Sequence, residues 1–82
     1  MYKQIEKINS LIRDTVNKNI DEIQALVKQL EQLDSIIEGD GIPANTKATL
    51  QHVRDEVNKS LVILYKATDE LITKYKELIS NL

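Results

Sequence analysis

The sequence predicts an all-α fold: a long antiparallel helical hairpin that reverses direction at residues 39–43. Three observations lead to this prediction. The chain has 82 residues, and both of its glycines and its one proline lie in Gly39-Asp40-Gly41-Ile42-Pro43. On each side of that segment, apolar residues recur at the α-helical period. The two apolar stripes also match each other when the chain is folded at its middle.

Each half of the chain carries one stripe with a mean step of about 3.6 residues, the period of an α-helix. The first stripe is entirely apolar, and the second has one polar member, Thr68. The first consists of Ile5, Ile8, Ile12, Val16, Ile20, Ile23, Val27, Leu30, Leu33 and Ile37; the second consists of Leu50, Val53, Val57, Leu61, Leu64, Thr68, Leu71, Tyr75, Leu78 and Leu82.

Folding the chain at its middle places these stripes in register. Ile37 then meets Leu50, and Ile5 meets Leu82; the two residue numbers add up to between 86 and 88 in every pair. Antiparallel helices with equal rise per residue must show such a nearly constant total. We therefore predict a single helical domain over 1–82, with a helix at 3–38, a turn at 39–43 and a helix at 44–81.

An alternative is a three-helix bundle with a break near Asn17–Asn19. In that arrangement Asn19 would cap a new helix and Glu22 would reach back to it. In the hairpin, Gly39 suits a left-handed position after the first helix, and Pro43 suits the first turn of the second. Asp40 or Asn45 would cap that second helix.

Two polar features of the hairpin can be predicted from the register. Asp34 and Arg54 each lie one step after a stripe residue on the same flank, so we expect an exposed ion pair between them. Thr68 is opposite Ile20, where its hydroxyl can bond a carbonyl one turn back. Thr68 is either a tolerated interior threonine or a residue that fixes the register.

The composition excludes several classes of function. Eleven basic and thirteen acidic residues give a net charge of −2, so neither half has the basic excess of a nucleic-acid-binding protein. Apolar runs are too short to span a membrane, and the N-terminus lacks an apolar signal core. Cysteine is absent. We therefore expect a cytoplasmic protein, with export without a signal peptide as the alternative.

No residue pattern indicates catalysis or cofactor binding. His52 and Glu56 could offer two metal ligands on one face, but a closed site needs four. The paired carboxylates at 21–22, 55–56 and 69–70 diverge by about 100° on a helix, whereas acid–base catalysis needs convergent groups. The segment Gly39-Asp40-Gly41 lacks the lysine and third glycine of phosphate loops. We expect a non-enzymatic protein without metal, cofactor or small-molecule substrate.

Apolar residues outside the stripes indicate a protein-binding surface. Residues 61–65 are all apolar, and five consecutive positions cover the whole circumference of a helix, so some must face away from the partner helix. We define the central apolar belt as five residues predicted to contact a partner. These are Ala25, Leu26, Val62, Ile63 and Tyr65, with Leu26 expected on the same flank as Ile63. A second copy would cover the belt in an antiparallel four-helix bundle.

The leading functional hypothesis is therefore a protein–protein interaction or assembly module, acting as a homodimer or with another helical protein. One alternative is a small helical regulator of the immunity or antitoxin type. Another follows from a resemblance: in length and predicted hairpin shape, the chain resembles the secreted WXG-type proteins of type VII secretion. It departs from them at the turn, where Gly39-Asp40-Gly41 replaces the Trp-x-Gly motif.

Overall fold

The protein consists of two long helices lying side by side. The computed structural model describes residues 2–81, and in this range it contains α1 (Tyr2–Glu38) and α2 (Ala44–Ser80), each of 37 residues. The molecule measures 62 × 14 × 13 Å. A helix of this length is about 55 Å long, so the rod is one helix long and two helices wide. The predicted hairpin is confirmed, and α1 continues through Asn17–Asn19 without the break that a three-helix bundle requires.

The helices meet along one narrow contact line, which we call the seam. Apart from the buried Thr68 its members are only partly shielded from solvent, and they follow one another in alternating steps of three and four residues along each helix. This alternation is the period of a coiled coil. On α1 the seam contains Ile5, Asn9, Ile12, Val16, Asn19, Ile23, Leu26, Leu30, Leu33 and Ile37; on α2 it contains Lys47, Leu50, Arg54, Val57, Leu61, Leu64, Thr68, Leu71, Tyr75 and Leu78.

The seam corrects the predicted stripes at four positions. Ile8, Ile20, Val27 and Val53 were expected to face the partner helix, but each is about 40 % exposed. The positions in the seam are instead occupied by Asn9, Asn19, Leu26 and Arg54. The reason is that a stripe with a 3.6-residue period drifts around a helix by about 20° per heptad relative to a coiled-coil seam. Leu82, the predicted partner of Ile5, lies outside the described residues.

A two-helix layer leaves this hairpin without a core. Within residues 3–81 no apolar side chain is buried, and the one buried residue is Thr68, with 5 % exposure. Its hydroxyl donates a 2.7 Å hydrogen bond to the carbonyl oxygen of Leu64, one turn back. In the seam register Thr68 lies opposite Asn19, so the centre of the rod carries a polar layer.

The turn also differs from its prediction in one respect. Gly41, not Gly39, has the left-handed backbone, with φ of 94°. Pro43 immediately precedes α2 and offers no side-chain cap, while its carbonyl accepts a 2.9 Å hydrogen bond from the amide of Lys47. The side chain of Asn45 accepts a hydrogen bond from the amide of Thr46 in the first turn, which satisfies one of the free donors there.

The predicted ion pair between Asp34 and Arg54 is confirmed. The Arg54 Nε donates to Asp34 Oδ1, and Nη2 donates to Oδ2 at 3.5 Å. The hydrogen bond to Asp34, followed by charge attraction, raises the pKa of the Arg54 guanidinium. Because this pKa is raised in the folded state, the stabilisation is present at neutral pH, where the guanidinium is charged in the folded and the unfolded chain alike, and it is lost as the pH rises through this pKa. The bridge joins the two helices near the turn and supports their register.

Asn9 provides a test of the seam. Its Oδ1 is buried without a hydrogen-bond partner among the described residues. Asn9→Leu should raise the free energy of unfolding by about 2 kcal/mol, because it removes an unsatisfied acceptor and adds apolar contact. The control is Asn17→Leu at an exposed position of the same helix, where we expect less than about 0.5 kcal/mol. Urea unfolding measures both, and equal effects would place Asn9 outside the seam.

The Asp34–Arg54 pair provides a test of the register. Asp34→Arg and Arg54→Asp each place like charges together and should therefore lower the Tm. The loss should be less than about 5 °C, because the site is half-exposed. The double charge-swap variant should recover most of that loss. Circular dichroism during heating measures all three, and a double variant no better than the sum of the singles would contradict the pairing.

Candidate protein-binding surface

The seam divides the rest of the rod into two flanks, and each carries apolar residues that are exposed or, at Ile72, half-buried. Helical spacing relative to the seam assigns each residue to a side. The Tyr65 flank is the side that carries Ile20, Val27, Val62, Tyr65, Ile72 and Ile79. The Ile63 flank is the opposite side, which carries Ile8, Leu11, Ala25, Ile36, Val53 and Ile63.

The five predicted belt residues divide between these surfaces. Val62 and Tyr65 lie on the Tyr65 flank, with exposures of 44 % and 65 %. Ala25 and Ile63 are also exposed but lie on the Ile63 flank. Leu26 is a half-buried seam residue and faces Leu61, so its expected place beside Ile63 is wrong. The structure therefore does not bring the five residues together into one patch.

The Tyr65 flank gains residues that the sequence assigned elsewhere. Ile20 and Val27 were expected in the seam, and they emerge on this flank because the coiled-coil period displaces them. Ile20, Tyr65 and Ile72 line one shallow open groove between the helices. An adjoining groove is lined by Ile72 with Ile12, Arg13, Val16 and Tyr75. Had the sequence been searched for a seam with strictly alternating three- and four-residue steps, Ile20 and Val27 would have fallen outside the seam and on this flank.

Most apolar residues of the Tyr65 flank lie close together near the middle of the rod. The Asp34–Arg54 pair and the groove lined by Ile12, Val16, Ile72 and Tyr75 set the register of the antiparallel helices, which brings Leu61 level with Leu26 and Leu71 with Val16. Five side chains then follow one another over about 18 Å at 1.5 Å per residue. In order from the open end of the hairpin toward the turn, they are Ile72, Ile20, Tyr65, Val62 and Val27. We call these five residues the central patch.

The charges on the Tyr65 flank are distributed unevenly around the central patch. Toward the turn the flank carries four carboxylates, of which Asp34 is paired with Arg54 and Asp55 lies 4.0 Å from the same guanidinium. Toward the open end it carries three cations, Lys3, Arg13 and Lys76, together with Glu6, whereas Asp69 lines the same groove as Tyr65 and Ile72. None of the three cations forms an ion pair with another described residue. The four carboxylates are Glu31, Asp34, Glu38 and Asp55.

The polar residues considered for catalysis or metal binding lie apart on the surface. His52 and Glu56 are exposed on α2, and Glu56 contacts Lys59 at 3.3 Å. Within residues 2–81, no group of three or more potential ligands among histidine and carboxylate side chains converges on one point. In the same range, neither helix is apolar enough over sufficient length to cross a membrane.

Comparison with known proteins gives no match to a family model, to a curated protein or to a solved structure.

Proposed function

We propose that this chain is a non-enzymatic protein–protein interaction module, and that its exposed apolar surface is where another helical protein binds. The observation that supports this most directly is the lack of a core: within residues 3–81 no apolar side chain is buried. A fold whose main favourable energy is apolar burial is incomplete in this state. A partner that covers one flank would also shield the solvent-facing side of the seam residues.

The accessible surface supports the same proposal. The chain exposes 6558 Å², whereas a compact monomer of 9.4 kDa exposes about 5000 Å². The excess is about 1500 Å² per chain. Stable interfaces bury about 800 Å² or more from each partner, so the rod has enough surplus surface for one extensive interface.

The central patch is the best candidate for the contact. It places an aromatic residue among branched aliphatic side chains, as interface centres commonly do. Most charged residues of this flank lie toward its two ends, while Asp69 lines the same groove as Ile20, Tyr65 and Ile72. The Ile63 flank is less continuous, since Gln29, Ser60 and Lys74 separate its apolar residues.

The proposal predicts that folding of the isolated chain depends on association. Thermal unfolding should be followed by circular dichroism from about 1 to 100 μM, with sedimentation at each concentration, because association stabilises by mass action. A self-associating chain should show a Tm that rises with concentration. A chain that needs a different partner should be partly unfolded at every concentration and should bind a hydrophobic dye.

Two matched variants locate the effect. Tyr65→Ser should reduce the concentration dependence or the dye binding, because it removes the largest side chain of the central patch. Lys66 is the next residue in sequence and lies on the polar face of α2. Lys66→Ser should change neither the concentration dependence of the Tm nor the dye binding. A wild-type monomer at 100 μM that unfolds cooperatively, at a Tm independent of concentration and without dye binding, would refute the proposed function.

A further inference from the structure

Building on the proposed function, we propose that the partner is a second copy of this chain, which lies antiparallel on the Tyr65 flank. The two copies are related by a two-fold axis perpendicular to the rods, close to Gln24 and Tyr65. In this arrangement α1 packs on α1 of the partner copy and α2 packs on α2. The assembly is a four-helix bundle with the turns at opposite ends.

Four of the five residues of the central patch are self-complementary under this symmetry, and the fifth, Ile72, has no counterpart within the patch. Ile20 and Val27 lie on the same side of α1, about equally far from the level of Gln24, so the two-fold operation brings each to the level of the other. Val62 and Tyr65 exchange in the same way on α2. An isologous interface requires a surface that matches itself after rotation, and these four residues meet that requirement.

The charges select the antiparallel orientation. With the copies antiparallel, Arg13 and Lys76 at the open end of one rod face the carboxylates near the turn of the other. Arg13 comes closest to the level of Glu31 and Asp34. With the copies parallel, the carboxylate-rich segments near the two turns would lie against each other, and like charges in contact oppose association. The net charge of −2 per chain adds little further repulsion.

The available area fits a dimer of this kind. Two chains together carry an excess surface of about 3000 Å², within the range that obligate homodimer interfaces bury. The flank runs the full length of a rod that is 62 Å long, so one interface can use most of that excess. A small globular partner would cover only part of it.

Single cysteines test the arrangement, because the chain contains none of its own. Gln24 and Gln51 are both exposed glutamines that line grooves on the Tyr65 flank. Gln24 lies near the proposed axis, so under oxidising conditions Gln24→Cys should give a covalent dimer. Gln51 lies far from the axis, and its two copies would be about 38 Å apart. Gln51→Cys should therefore remain monomeric on a non-reducing gel.

Each other cross-linking result overturns the inference in a different way. A dimer from Gln51→Cys would show that the copies lie parallel. A lack of dimer from both variants, in a chain that self-associates by sedimentation, would place the contact on the Ile63 flank. A partly unfolded chain that does not self-associate would exclude a second copy, yet it would leave the proposed function intact with a different helical partner.

Adjacent charge insertions test the flank independently. Val62→Glu places a carboxylate in the centre of the interface and should raise the dimer Kd by about tenfold or more, measured by sedimentation equilibrium. Ile63→Glu makes the same chemical change one residue later, on the opposite flank, and should change the Kd by less than about twofold. Equal effects, or a larger effect of Ile63→Glu, would overturn the assignment of the flank.

Discussion

The structure depends on a single contact line between two helices. Each helix offers one face to the other, and a seam of alternating three- and four-residue steps is the widest contact that such a pair can form. The side chains in that seam keep one side toward solvent, which explains why even Leu30 and Leu64 are only half-buried. The exposure of the flanks follows from this geometry, and so does the proposal that a partner covers one of them.

The sequence predicted the architecture well because the relevant signals are local and strong. Glycine and proline are confined to one segment, and the apolar spacing excludes strands, so the hairpin, the helix bounds within one residue and the Asp34–Arg54 pair could all be deduced. The exact seam could not be deduced from the assumption that apolar residues face inward. That assumption selected Ile8, Ile20 and Val27, whereas the supercoil places Asn9, Asn19 and Leu26 at the contact.

The candidate site was harder to predict than the fold, because one step along a helix moves a side chain by about 100°. The error at Ile20 and Val27 therefore removed two residues from the Tyr65 flank and placed Leu26 outside the seam. Val62, Ile63 and Tyr65 were easier, because five consecutive apolar residues must expose some members whatever the register. Their division between two flanks became clear only once the seam was known.

The polar seam residues have a consequence for how the hairpin forms. Between the turn and Leu26 the α1 side of the seam is wholly aliphatic, whereas Asn19 and Asn9 interrupt it toward the open end. On α2, Thr68 interrupts the seam at the level of Asn19, and near the turn the seam contains Lys47 and Arg54, of which Arg54 is paired with Asp34. Contacts nearest the turn also join residues closest in sequence, so their loop-closure entropy is smallest. We expect the contacts between the helices to form first near the turn and to open first at the other end. The turn-proximal half would then be the folding nucleus, and the half that carries Arg13 and Ile72 would be the last to order.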